Sequence, residues 1–189
     1  MRLKNKLKYI LFIKLRIWKY SFLSECKNVF GQPNLYIPLL MRGDGKIKFG
    51  KNFQNGVILA HHYYSSYNYI LSRFKNSEVI IGDNVVMANG ATIQADNKVI
   101  IEDNVMIGIN CMLVDSDGHD LHPDKRHTGT PLTGPIVIKK NVIVYYNSTI
   151  FKGVTIGENS VIGSCSVVTK DIPANVFAAG NPAKVIRNL

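Results

Sequence analysis

Apolar side chains recur every six residues, with two interruptions, between Ile81 and Val168. Ile81, Met87 and Ile93 stand six apart, and after a two-residue slip the series resumes at Ile101, Ile107 and Leu113. It pauses again, then runs unbroken through Ile138, Val144, Ile150, Ile156, Ile162 and Val168. Four places after most of these comes a small or β-branched residue: Val85, Ala91, Val105, Cys111, Val142, Ser148, Val154, Ser160 or Ser166. A fixed short period marks a stacked repeat. An amphipathic α-helix would need a period of about 3.6 residues, and no stretch after Val79 offers one.

The period has a geometric reading. Each hexapeptide is one short strand and one corner, and three of them close a triangular coil. The first position points into the prism, the small residue beside it fits the narrowing corner, and Gly or Asn supplies the backbone freedom of the turn. Gly82-Asp83-Asn84, Glu102-Asp103-Asn104, Lys139-Lys140-Asn141 and Gly157-Glu158-Asn159 fall where such turns are needed. Stacked coils pair their strands in parallel around one continuous core. The expected fold is therefore all-β, a left-handed parallel β-helix of hexapeptide repeats over residues 79–189.

The second pause breaks the rhythm most. Ile101 to Ile138 spans 37 residues where one coil needs about 18, so about 19 leave the scaffold as a loop at roughly 117–135. Long excursions from a rigid scaffold are disproportionately functional. This one carries His119, His122 and His127, with Asp115, Asp117, Asp120 and Asp124 close by.

The rest of the chain is less regular. Leu3, Leu7, Ile10, Leu11, Leu15 and Trp18 recur at helical spacing, which predicts an amphipathic helix over residues 1–24. Residues 25–78 read as an irregular or early-coil region. Gly31-Gln32-Pro33, Gly43-Asp44-Gly45 and Asn55-Gly56 mark its turns, and Ile47-Lys48-Phe49 reads as a strand. His61-His62-Tyr63-Tyr64, with Tyr67 and Tyr69, reads as a loop on the helix flank rather than as a pair of ligands.

Composition adds one asymmetry. At 189 residues, 46% of them apolar, the chain suits one domain with a small appendage. Its net charge of +10 is concentrated at the start, where Arg2, Lys4, Lys6, Lys8, Lys14, Arg16 and Lys19 have no acidic neighbour before residue 20. The apolar run Tyr9–Ile13 is too short and too charged to span a bilayer, and no small-residue cleavage site follows it. Two readings of residues 1–23 stand level: a helix packed within its own domain or across a subunit interface, and a helix lying on an anionic membrane surface. No nucleic-acid fold motif accompanies the charge, so nucleic acid is not the expected partner. Cys26, Cys111 and Cys165 show neither paired spacing nor an even count, which argues against disulfides and zinc. Cys111 falls on an inward position. The three loop histidines lack the spacing of a metal site, so no metal is expected.

The chain resembles the hexapeptide-repeat acyltransferases, in the branch of maltose, galactoside and polysaccharide O-acetyltransferases. The resemblance rests on the repeats, on His119-Asp120-Leu121-His122-Pro123, and on Gly153-Val154-Thr155-Ile156-Gly157. It also rests on Ser166–Pro173 and on the ending Gly180-Asn181-Pro182-Ala183-Lys184-Val185-Ile186-Arg187. It implies a cytoplasmic homotrimer with active sites in clefts between prisms, acetyl-CoA as donor and a sugar or glycan hydroxyl as acceptor, in polysaccharide biosynthesis or modification. His119 aligns with the family's catalytic base, and an imidazole suits proton removal from an alcohol near neutral pH. Asp117 is expected to fix the orientation of that ring, with a backbone carbonyl as the alternative.

For coenzyme A, Lys170, Lys184 and Arg187 are expected at the phosphates and the amides around Gly163 and Ser164 at the pantetheine arm. Asn89, Asp96 and His122 are the candidates for acceptor contacts. One corner departs from the pattern: Ile143-Val144-Tyr145-Tyr146 stands where relatives carry a tryptophan and a corner glycine. Tyr145 either folds outward and reshapes the donor pocket, or marks a chain that has lost coenzyme A and serves as a trimeric scaffold. An N-acyltransferase acting on an amino sugar is the remaining alternative.

Overall fold

The computed structural model describes residues 3–189; Met1 and Arg2, which open the expected helix, lie outside them. Short strands stack into three sheets of six, eight and six strands, each strand pairing with the strand three places away in sequence except at the end of the eight-stranded sheet, where Val161–Ile162 pairs with Val176–Gly180 and that strand with Ala183–Asn188. One sheet runs through Asn28–Phe30, Lys46–Phe49, Glu78–Ile81, Lys98–Ile101, Ile136–Ile138 and Thr155–Ile156. All pairings are parallel except the last, where Val176–Gly180 and Ala183–Asn188 close the stack as an antiparallel hairpin.

The register carries the six-residue rhythm into the core. Phe49, Ile81, Ile101, Ile138 and Ile156 form one inward column. Met87, Ile107, Val144, Ile162 and Ala178 form the second, and Ile70, Ile93, Leu113, Ile150 and Val168 the third. These columns, apart from the slightly accessible Phe49, are essentially fully buried. The serines at corner positions are buried too and keep their hydroxyls bonded: Ser148 Oγ donates to the Gly163 carbonyl at 2.9 Å and Ser160 Oγ to the Pro173 carbonyl at 2.6 Å.

One corner repeats an asparagine. Asn52, Asn84, Asn104, Asn141, Asn159 and Asn175 all have φ between 56° and 61°. That left-handed conformation costs most side chains about 1–2 kcal/mol, and Asn tolerates it best after Gly. Their amides also bond from coil to coil, as Asn141 Nδ2 to Asn159 Oδ1 at 3.0 Å and Asn159 Nδ2 to Asn175 Oδ1 at 2.8 Å.

The coils begin at Asn28, well before the rhythm becomes visible at Val79. Polar residues at inward positions hide the early ones. Asn55 pairs in register with Met87 and is fully buried. Its amide donates to the Ile37 carbonyl at 2.9 Å, and its oxygen accepts from Asn68 Nδ2 at 2.9 Å. Asn68 is buried as well and accepts the Ala91 N–H at 2.9 Å. A closed network of this kind avoids the penalty of burying polar groups.

The N-terminal helix comprises an α-segment Leu3–Tyr9, a π-turn Ile10–Lys14 and an α-segment Leu15–Leu23. It packs on its own domain through one side. Ile13 is fully buried. The Arg16 guanidinium donates to the carbonyls of Tyr64, Ser65 and Ser66, and Tyr20 meets Tyr67 with ring centroids 4.6 Å apart. The aromatic stretch around His61 is thus a loop against the helix, in line with its reading as a loop on the helix flank. Among the described residues no helix is long and apolar enough to cross a membrane.

The three thiols differ in access. Cys165 is exposed, Cys26 half-buried and Cys111 buried. Burial pushes the Cys111 thiol up to about 11. The thiolate is the reactive form, so an aromatic disulfide reagent is expected to titrate Cys165 first, and Cys111 only on unfolding. Rapid modification of all three thiols in the native protein would contradict this packing.

Candidate active site

The extruded loop leaves the third sheet after Met112–Val114, and its root is built from backbone and carboxylates. Asp115 is buried and turns back on the coil before it. Its carboxylate accepts the N–H groups of Asp96, Asn97 and Lys98 at 2.7, 2.8 and 2.6 Å. Burial pushes its carboxyl up, against the downward pull of those three donors. Ser116 and Thr133 form an antiparallel bridge. Around it the Asp117 N–H bonds to the Leu132 carbonyl at 3.0 Å and the Gly134 N–H to the Asp115 carbonyl at 2.9 Å. The two ends of the loop are thereby tied together.

Beyond this root the loop carries its own small fold. Asp120 accepts the His122 N–H at 2.9 Å, and His122 caps the short helix Pro123–Lys125 by accepting the Asp124 N–H. His122 is therefore a loop-forming residue, exposed to solvent and 3.8 Å from the Asp124 carboxylate. His119 is exposed, with Nδ1 at 3.3 Å from the Arg126 carbonyl oxygen. In the neutral imidazole, the tautomer with Nδ1–H toward this carbonyl has Nε2 as its acceptor. His119, Asp120, Leu121, Arg126 and His127 line a shallow hollow of about 400 Å³.

Asp117 does not orient that ring. Its Oδ1 accepts from Lys152 Nζ at 2.6 Å, and its second oxygen is buried with no hydrogen-bond partner among the described residues. The carbonyl of Arg126 takes the place expected of it, a contact no side-chain pattern could announce. The three loop histidines are not gathered either: among the described residues no group of three or more His, Cys, Asp or Glu side chains is placed to hold a metal.

The acceptor candidates have other partners. Asn89 is fully buried. Its Oδ1 accepts the Val57 N–H at 2.8 Å, and its amide donates to the carbonyls of Val57 and His61 at 3.1 and 2.9 Å. It pins the 57–61 loop. Asp96 has a fully buried carboxylate that pairs with Arg73 Nε at 3.2 Å. The Asn89 amide is occupied by the fold, whereas Asp96 keeps its Oδ2 buried with no hydrogen-bond partner among the described residues.

The donor candidates lie at the second corner and the final coils. Gly56, Ala88, Gly108, Tyr145, Gly163 and Ala179 follow the inward column of the second sheet, and Tyr145 is the one large member. A Cβ on Gly108 would stand 2.7 Å from the Val144 carbonyl oxygen, so the coils touch closely here. The Tyr145 ring avoids the contact by turning outward, 43% exposed and edge-on to Tyr146. The Gly163 N–H is already bonded to the Ala178 carbonyl at 2.8 Å, whereas Ser164 is exposed. Lys170 and Lys184 are exposed, and Arg187 lies 5.8 Å from the centre of the Phe177 ring. None of these residues lines the His119 hollow in the single chain.

A family profile described as "Hexapeptide repeat of succinyl-transferase" matches residues 98–118 and 135–170, on either side of the loop. The repeat that sets the rhythm of the coils is therefore similar to that of the hexapeptide-repeat acyltransferases. The chain's three-sheeted stack has the left-handed β-helix fold of a solved hexapeptide-repeat acetyltransferase from Vibrio cholerae. Galactoside O-acetyltransferase of Escherichia coli (strain K12) is 46% identical over 113 residues, 60% of this chain and 55% of that protein. The chain thus matches about half the length of this curated relative. A galactoside acetyltransferase solved in complex with coenzyme A is 34% identical, with a TM-score of 0.56, over 85% of this chain and 64% of that one. The polySia-specific acetyltransferase NeuO is 27% identical, with a TM-score of 0.58, over 85% and 82%.

Proposed function

We propose that this protein is an acetyl-CoA-dependent O-acetyltransferase acting on a sugar hydroxyl of a glycan or glycan precursor. The observation that carries the reading is His119, exposed on a tied loop with Nδ1 against a carbonyl and Nε2 left as an acceptor. An alcohol is a weak nucleophile near neutral pH. In the proposed reaction Nε2 takes the hydroxyl proton as the oxygen attacks the thioester carbon. The C–S bond then breaks, and the departing sulfur receives that proton from the imidazolium. The products are the acetyl ester and free coenzyme A.

The donor would lie along the second corner past Tyr145 and Ser164, with its phosphates toward Lys170, Lys184 and Arg187. The outward turn of the Tyr145 ring reshapes that groove without closing the coil contact behind it. The His119 hollow is open on one side, and a neighbouring copy would supply the missing wall. A homotrimer, as the family resemblance implies, is therefore part of the proposal. Light scattering on the purified protein is expected to give the mass of three chains, and a monomer would overturn this assembly.

The direct test is release of thiol from acetyl-CoA in the presence of sugars, glycans, nucleotide sugars and amino sugars. Release that depends on an acceptor bearing only hydroxyls is the expected result. Release with amino sugars alone would replace the reading with N-acyl transfer. No release, together with no saturable acetyl-CoA binding by calorimetry, would leave a scaffold.

A further inference from the structure

The N-terminal helix has two unlike sides. Ile13, Arg16, Ile17 and Tyr20 turn toward the domain, while Leu3, Leu7, Leu11, Leu15, Trp18 and Phe22 face solvent at intervals of three or four residues. Exposure along this stripe reaches 83% at Leu3, 69% at Trp18 and 79% at Phe22. Lys4, Lys6, Lys8, Lys14 and Lys19 are exposed around it, and residues 3–23 contain no acidic side chain.

We propose that this face docks the protein on an anionic lipid surface, with the helix lying in the plane of the membrane. A helix of this length is about 30 Å long, with its apolar stripe running along it rather than all round. Since no described helix can cross a bilayer, the stripe is suited to the boundary between headgroups and acyl chains. Charge decides between occupants. Two copies of this stripe facing one another would bring lysines together with no carboxylate from either helix to offset them. Anionic headgroups supply the opposite charge at every lysine. Arg16 is not part of this face, because its guanidinium holds the loop carbonyls of Tyr64, Ser65 and Ser66. Those bonds fix the helix to the domain, so docking would orient the whole prism. Docking rests on the helix alone and is independent of the chemistry assigned to His119.

The test is flotation of the full chain with phosphatidylcholine vesicles, with and without phosphatidylglycerol, at low and high salt. Trp18, the single tryptophan, gives a second readout. Binding to the phosphatidylglycerol vesicles alone, lost at high salt and accompanied by a blue shift of tryptophan emission, is expected. Reversing Lys4, Lys8 and Lys19 to Glu, or joining Trp18→Glu to Phe22→Glu, should lower the bound fraction at least about tenfold. Lys75→Glu, an exposed charge reversal elsewhere, should leave it unchanged. Equal binding to both vesicle types, or unshifted emission with either, would overturn the proposal. So would loss of oligomer mass in Phe22→Glu with no vesicle binding by the parent, which would assign the stripe to a second copy.

Discussion

Replacing His119 by alanine is expected to lower kcat for acceptor-dependent thiol release by about 10²–10⁴-fold. The ring is exposed and its side-chain hydrogen bond among the described residues is to a backbone carbonyl, so melting temperature and oligomeric mass should stay as they are. Asp117→Asn separates two accounts of how that ring is held. If Asp117 oriented the imidazole, its loss should approach the His119 effect. With the carboxylate on Lys152 and Nδ1 on the Arg126 carbonyl, kcat should instead fall by less than about tenfold. Turnover unaffected by His119→Ala would remove the base from the proposed mechanism.

Asp115→Ala is expected to destabilise the protein by about 3 kcal/mol, read as a shift of the urea midpoint at constant slope. The alanine leaves three backbone N–H groups at residues 96–98 without the acceptor that now satisfies them. Asparagine should not rescue it. The two carboxylate oxygens accept separately, Oδ1 from Asp96 and Oδ2 from both Asn97 and Lys98. An amide therefore turns an NH₂ toward at least one donor. A midpoint shift near zero for Asp115→Ala would mean that water replaces the carboxylate at this turn.

The six-residue columns were legible because the first position of each hexapeptide after Val79 is apolar and stands in register with its neighbours one coil away. The coils from Asn28 onward were not, because Asn55 and Asn68 occupy the interior and a loop at 57–67 interrupts the count. A buried asparagine reads in sequence as a turn, and only its bonds to Ile37, Met87 and Ala91 show that it is core. The same difficulty applies at the candidate site. The excursion carrying His119 could be measured from the spacing, since a loop is what remains when the repeat is subtracted. The partner of each side chain could not. Asn89 and Asp96 lie on turns, as expected, yet one amide is spent on the 57–61 backbone and one carboxylate on Arg73.

By itself the sequence determined the repeat, the interior columns, the extruded loop and the amphipathic character of the first helix. These follow from periodicity, which is a property of neighbours along the chain. Only the tertiary structure decided that Arg126 rather than Asp117 faces His119, that Tyr145 turns outward, and which side of the helix is left to solvent. Those outcomes depend on how the loop folds back on itself and on which groups meet each donor, acceptor or apolar face in the folded chain. Pairing of that kind is settled by packing in three dimensions, and no local pattern records it.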